Sequence, residues 1–471
     1  MGDEIAQRHF NAEDFTSFRR RLDRETEDVA RLFADGGFSE RGDIAGFELE
    51  AWLVDLDGNP APRNEHFLAE LDNALVVPEL ASYNVELNGS PCAMTGRVFT
   101  RLHDELAATW RACQDAANAL DLRLATIGIL PTIAPELLNS DHMSRMVRYQ
   151  ALNDRVLALR DGAPFEVDIA GDDHLLMSHD DVMLEAAATS FQIHLQCKPD
   201  RAVRTYNAAL AASAPMVALS ANSPFLFGHA LWAETRVPLF EQAVSLGPRD
   251  PERVGFGTGY ADASLFETFR ENRELHAILL PYVQEEPPSK FAHVRFQNGT
   301  VWRWNRPLLG FDFDGVPHLR IEHRVVPAGP TIDDCIANTA VFMGAVKALA
   351  EDPVPIESEL DFAVARSNFY AAARLGLDAE FTWRDGRRRG ARALLLEDML
   401  PAAADALRTL DIPDAEVERY LAIATRRVER GANGAVWQRR WVARHGPDYN
   451  ALTLAYIDAQ DSGQPVHEWT V

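Results

Sequence analysis

Hydrophobic and polar positions change period several times along the chain, and each change predicts an element. Phe15, Phe18, Leu22, Val29 and Leu32 recur at helical spacing among alternating charges over 12–35, predicting an amphipathic opening helix that packs on the body. After Gly36-Gly37 the period drops to two in GFELEAWLV, a strand that runs into an Asp57-Gly58 turn. Residues 98–120 read as a helix, 122–130 as a buried strand ended by Pro131, and 141–160 as a second long helix. Two more strands are expected near 189–197 and 317–326. Between Arg204 and Glu234 no Asp, Glu, Lys or Arg occurs, and the Ala- and Ser-rich stretch, broken by Pro215 and Pro224, predicts a buried helix and loop, not a membrane span. From about 332 the pattern is helical, with runs at 333–350, 357–375, 391–410, 414–430 and 448–460. Mixed strands and helices come first and helices last, without regular alternation, which argues α+β over a doubly wound sheet.

Four of the strands share one design. A strand projects alternate side chains to opposite faces. Glu48, Glu50 and Trp52 therefore share a face backed by Phe47, Leu49, Ala51 and Leu53. Asn84, Glu86 and Asn88 are backed by Val85 and Leu87; Gln192, His194 and Gln196 by Phe191, Ile193 and Leu195; and Arg320, Glu322 and Arg324 by Leu319, Ile321 and Val325. A single Glu-x-Glu is ordinarily a solvated strand face. Four faces limited to Glu, Asn, Gln, His and Arg form a more specific set, because these are ligand and hydrogen-bond types. On one surface, carboxylates about 4 Å apart would repel by ~4 kcal/mol per pair, so something cationic must hold them. Hard oxygen donors with one imidazole and no thiolate point to Mg²⁺ or Mn²⁺, whose shells are usually completed by phosphate oxygens, and the neighbouring arginines suit the same oxygens.

Composition narrows the partners. The 471 residues carry 71 acidic against 46 basic side chains, a net charge of −25, which repels nucleic acid and anionic lipid. Apolar residues at 47 % and charged residues at 25 % describe a folded chain. The only lysines, Lys198, Lys290 and Lys347, stand in no Gly-Lys-Ser/Thr context, so a P-loop is excluded, and GFGTGY at 255–260 lacks the spacing of a dinucleotide loop. Four scattered cysteines predict reduced thiols in a cytoplasm, and the opening MGDEIAQRHF predicts neither signal peptide nor lipid anchor.

GFELE, VELN, ATSFQIHLQ, ANSPFLFGHALWAETR and RIEHRVVPAGPTIDD, in that order over about 40–375, resemble the glutamate-cysteine ligase family, and within it the bacterial carboxylate-amine ligase branch related to glutamine synthetase. The resemblance implies a curved antiparallel cradle over 1–350 with a helical C-terminal region, 351–471, packed on it. It implies ATP at one end, two or three Mg²⁺ in the middle and a carboxylate substrate, glutamate-like, beyond them, with an amine as the second substrate. Glu48, Glu50, Glu86 and Glu322 match the family's metal carboxylates, and His194 falls on the strand that offers a ligand near the nucleotide-side metal, flanked by Gln192 and Gln196. Arg324 matches the arginine that faces the transferred phosphoryl group, Arg236 one that follows the Asn-Ser-Pro motif, and Arg148 an arginine beside the substrate site; Arg320 shares the Glu322 strand. The family's biosynthetic members read Gln-x-Asn-x-Asp where this chain has Gln192, His194 and Gln196, so cysteine as acceptor is left open. Trp302, Arg303, Trp304 and Arg306 either line a distinct substrate pocket or anchor a loop or hairpin.

The resemblance implies an ATP-driven amide synthesis through an acyl phosphate, with ADP and phosphate released. A phosphotransferase acting on a guanidino or amino compound on the same fold, and a non-catalytic nucleotide- or metabolite-binding protein, are the alternatives. Homo-oligomer formation is left open. The acidic stretch GDDHLLMSHDD at 171–181 is read as a solvated loop, Arg387–Arg389 as an exposed turn, the arginines at 426, 427, 430, 439 and 440 as partners of acidic helices, and Cys197 as packing.

Overall fold

A computed structural model describes residues 4–247 and 251–471, so the first three residues of the segment read for a lipid anchor lie outside the described residues. The chain opens with α1 (Ala12–Asp35). Asn11 caps it by accepting from the N–H groups of Glu13 and Asp14 while Asp14 accepts from the N–H of Asn11, and it closes on Gly36 at φ 66°, a conformation glycine adopts without strain.

The centre is one antiparallel sheet: β1 (Ile44–Val54), β2 (Val76–Pro78), β3 (Asn84–Asn88), β4 (Cys92–Ala93), β5 (Arg123–Ala125), β6 (Phe191–Cys197), β7 (Asn305–Phe311) and β8 (Pro317–His323). The order across it is β7-β8-β6-β1-β3-β2, with β4 and β5 pairing with the ends of β1, and the sheet curves into a half-barrel. Its apolar face packs against two buried helices, α2 (Ala202–Ser220) and α3 (Ile332–Glu351). The polar face is left to form a concave floor. The C-terminal helices Leu400–Arg408 and Asp414–Arg430 pack in turn on α3. Among the described residues no helix is long and apolar enough to cross a membrane.

Several elements differ from the sequence expectation, each for a local reason. The strand expected over 122–130 pairs only at β5; beyond it the backbone is satisfied by side chains, with Gln460 accepting from the Thr126 N–H, Tyr456 donating to the Thr126 carbonyl and Trp52 donating to that of Ile127. The helix expected from 141 begins at Val147, because residues 142–144 exchange backbone hydrogen bonds with 80–82. The run 391–410 is interrupted by a wider turn over Leu395–Met399, directly before Pro401, whose missing N–H breaks the helical ladder. The acidic stretch 171–181 is the turn and second strand of a hairpin, Phe165–Ala170 with His174–His179. Helix Gly434–His445, capped by Asn433, adds to the expected C-terminal set. The arginine runs find acidic partners: Arg388 with Glu380, Arg389 with Glu397 and Asp398, Arg427 with Asp334 and Arg439 with Asp172.

Candidate active site

Register brings the polar strand faces together. Glu50 stands opposite Glu86, Glu48 opposite Gln192, His194 opposite Glu322, and Glu322 opposite Arg306. Two clusters of donors result.

In the first, His194 Nε2 lies 3.6 Å from Glu48 Oε1 and 3.7 Å from Glu322 Oε1. These spans are too long for hydrogen bonds, and the buried Nε2 has no partner. Burial holds the imidazole below its usual pKa despite Glu48, which favours the neutral ring that can act as a ligand at the point the three side chains share. Glu322 is fixed by a two-pronged contact from Arg306, at 2.8 and 3.0 Å, and by Arg324 at 3.2 Å. Burial pushes its carboxyl up, but Arg306, Arg324 and His194 outweigh that and hold it well below the carboxylate range.

The second cluster is Glu50, Glu79 and Glu86, whose nearest oxygens lie within 4.8 Å of one another. Glu50 accepts from the Ser190 N–H at 2.7 Å, the Ser190 hydroxyl at 3.1 Å and Gln192 Nε2 at 3.1 Å. Glu86 accepts from Asn88 at 3.1 Å, and one buried oxygen of Glu79 has no partner. Burial raises all three carboxyls: Glu50 against the pull of Arg324, Glu79 well up with help from Glu86 and Glu50, and Glu86 to about 7 with help from Glu48 and Glu50. The orphaned imidazole nitrogen and the crowded carboxylates are a donor set that fits hard divalent cations.

Arginines tie the clusters together. Arg324 lies one residue past β8; its N–H donates to the Trp304 carbonyl, and its guanidinium reaches both Gln192 Oε1 and Glu322, so Gln192 links Arg324 to Glu50. The buried Nε of Arg324 has no partner. Arg236 donates to Glu234 at 2.9 Å and to the carbonyls of Arg324 and Val325 at 3.2 and 2.6 Å, so it braces the segment that carries Arg324. Arg148 donates to the Tyr149 hydroxyl at 2.8 Å.

A cleft of about 1430 Å³, partly open to solvent, borders the second cluster and is lined by Glu50, Glu79, Glu185, Arg148, Arg236, Arg295, Arg306 and Arg324. Leu152, Phe240, Leu280, Phe296 and Trp302 form its apolar wall. Among the residues singled out from sequence, Trp302 and Arg306 face this cleft, whereas Arg303 turns away to Asn272 and Glu271, at 2.6 and 2.8 Å, and serves packing. Gln196 donates to the Arg41 carbonyl and to Asp312 at the far end of β6, outside both clusters. Arg320 stands opposite Gln196, with Nη1 3.4 Å from His318 Nε2. Sequence reading passed over Glu79, which follows β2 in a loop, and Glu185, on the short turn Val182–Ala187; neither lies in a periodic run.

Known structures share this fold. The glutamate–cysteine ligase of Francisella tularensis, solved in complex with AMP, has a TM-score of 0.55 at 12 % identity, over 92 % of this chain and 90 % of that one. A bifunctional glutathione synthetase from Pasteurella multocida gives 0.50 at 12 % identity, over 93 % of this chain and 54 % of that one, so this chain spans about half of the larger protein. At such identities the likeness speaks for the fold. No curated protein matches the sequence. The model of glutamate-cysteine ligase family 2 matches residues 44–453, which include both donor clusters, Arg324 and most of the C-terminal helices. By that match over most of its length, the chain belongs to glutamate-cysteine ligase family 2 and is an enzyme of the carbon–nitrogen ligase class.

Proposed function

We propose that the protein joins a small carboxylic acid, glutamate or a close relative, to an amine at the expense of ATP, through an acyl phosphate and with release of ADP and phosphate. The observation that carries this reading is the pair of donor clusters on one concave face with Arg324 between them. Glu48, His194 and Glu322 on one side, and Glu50, Glu79 and Glu86 on the other, would hold Mg²⁺ or Mn²⁺. Bound there, the cations would neutralise the phosphate oxygens and the crowded carboxylates. The chain's own groups do the rest. Arg324, with two acceptors already fixing its plane, offers its remaining N–H groups to a phosphoryl group in transfer. Arg236 is a positioning residue for that arginine. Arg148, at the Glu79 side of the cleft, suits the acid substrate. The amine then displaces phosphate, and no side-chain nucleophile is needed. A reducing cytoplasm belongs to the same reading and is supported by four free cysteines, of which Cys113, Cys197 and Cys335 are buried, with thiols pushed up to about 12.

The test is ADP and phosphate release with Mg²⁺-ATP across a matrix of acids, led by glutamate, and amines, led by cysteine, with Glu50→Gln alongside. The reading predicts turnover that needs both partners, equal ADP and phosphate, and loss of both in the variant. ADP without phosphate would make the protein a phosphotransferase, and nucleotide binding without turnover on any pair would make it a binding protein.

A further inference from the structure

Three carboxylates open on the cleft, and the clusters account for only two of them, Glu50 and Glu79. The third, Glu185, sits on the short turn Val182–Ala187, flanked by Leu184, Ala186 and Ala187, which are buried. Among the described residues its carboxylate has no hydrogen-bond or ion-pair partner. Glu185 is only partly buried, so its carboxylate is open to the cleft, whereas those of Glu50 and Glu79 belong to the donor cluster. The charges acting on it are those of Arg324, which attracts, and Glu50, which repels. It lines the same cleft as Arg324, the group proposed to face the phosphoryl transfer, and as Glu50 of the nearer donor cluster. Among the described residues the remaining titratable lining offers no rival: Tyr149 is bound by Arg148, the cationic groups are arginines, and neither His nor Lys lines the cleft.

We infer that Glu185 is the general base of the second half-reaction, accepting a proton from the incoming amine. This rests on the ligase reading. An amine that arrives as an ammonium ion has no lone pair with which to attack. Glu185 takes one N–H proton; the freed pair forms the C–N bond at the acyl carbon; the C–O bond to phosphate breaks, and phosphate leaves with its electrons. The second N–H proton lost from nitrogen passes to solvent or to the departing phosphate. Burial raises the Glu185 carboxyl to about 7, against the pull of Arg324, which matches the proton affinity a base needs at neutral pH.

Hydroxylamine separates the two halves of the reaction, because it is uncharged at neutral pH and attacks an acyl phosphate without a base. Wild type, Glu185→Gln and Glu50→Gln are compared with Mg²⁺-ATP and the acid that wild type uses best, scored by hydroxamate from hydroxylamine and by amide from the best ammonium-form acceptor among L-cysteine, the other L-amino acids and ethylamine. The inference predicts that Glu185→Gln keeps hydroxamate formation within about twofold while amide formation falls about 100-fold or more, and that Glu50→Gln loses both. Parallel losses in Glu185→Gln, or a raised KM for the acid alone, would assign Glu185 to structure or acid binding and overturn the inference. So would an unchanged amide rate, or a wild type that makes hydroxamate but aminates with no ammonium-form acceptor. A wild type that makes no hydroxamate from any acid would overturn the ligase reading itself, and this inference with it.

Discussion

Glu322 shows how much of the site is held by single contacts. Its two oxygens are pinned by Arg306, and only then can it face His194 across 3.7 Å. A lysine cannot reproduce that planar fork. Arg306→Lys is therefore expected to fold normally yet bind Mn²⁺ about 10- to 100-fold more weakly, as measured by titration calorimetry; unchanged affinity would remove Glu322 from the cation site. Glu241, away from the clusters, gives a pH test. It accepts from Trp304 Nε1 and the Tyr370 hydroxyl, both at 2.8 Å, yet burial raises its carboxyl to about 7. Because the folded-state value lies above the unfolded one, the native state holds the extra proton between them, and this contribution to stability is full at low pH and lost as pH rises through 7. Glu241→Gln accepts the same hydrogen bonds with no proton to lose. It should be more stable than wild type at pH 8, by at most about 3 kcal/mol, with little difference near pH 4, in urea unfolding at both pH values. Strand parity made Glu48, Glu50, Glu86, His194 and Glu322 legible as one face, because a period of two needs no tertiary information. Glu79 and Glu185 carry no such period, and nothing local distinguishes Arg303, which packs, from Arg306, which faces the cleft.

At the scale of elements, one buried ion pair fixes how the C-terminal helices dock. Arg427, on Asp414–Arg430, donates to Asp334 at 2.7 Å and to Asn338 at 2.6 Å, both on α3, and both charged side chains are almost fully buried. Asp334 also accepts from Thr331 and from the Val466 N–H. Arg427→Met leaves that carboxylate buried without its cation, at a cost of about 3–5 kcal/mol. Thermal unfolding should show the loss, while ligase turnover of the surviving folded fraction stays unchanged; an equal Tm would mean the pair contributes nothing. The long helices were legible from their period. The hairpin at 165–179 was not, although Phe165, Val167 and Ile169 alternate with exposed residues, because the acidic turn at 171–173 dominates its composition. The strand over 122–130 was misread for the opposite reason: the segment is apolar enough for a ladder, but its partners are side chains from the C-terminal helix Tyr449–Asp461.

For the whole molecule, we propose a catalytic body to residue 350 with a helical region from 351 packed on it. One contiguous apolar core runs from Ile5 to Val466, and α3, which backs the sheet, is covered on its other side by the C-terminal helices. A chain ending at 350 would uncover that helix and is expected to be insoluble or molten, seen as lost near-ultraviolet dichroism with dye binding; a soluble, active fragment would contradict this. The net charge of −25 sets off a cleft in which Arg148, Arg236, Arg295, Arg306 and Arg324 gather around the carboxylates, and that local positive charge opposes the repulsion that the rest of the surface exerts on anions, in keeping with the proposed acid and nucleotide substrates. In the proposed reaction a carboxylate oxygen is phosphorylated in this cleft. The direct measurement follows the oxygens: with the acid substrate labelled with ¹⁸O in its reacting carboxyl group, one labelled oxygen should appear in each phosphate released, and the other should stay in the amide. Phosphate released without label, alongside amide, would contradict the acyl-phosphate account.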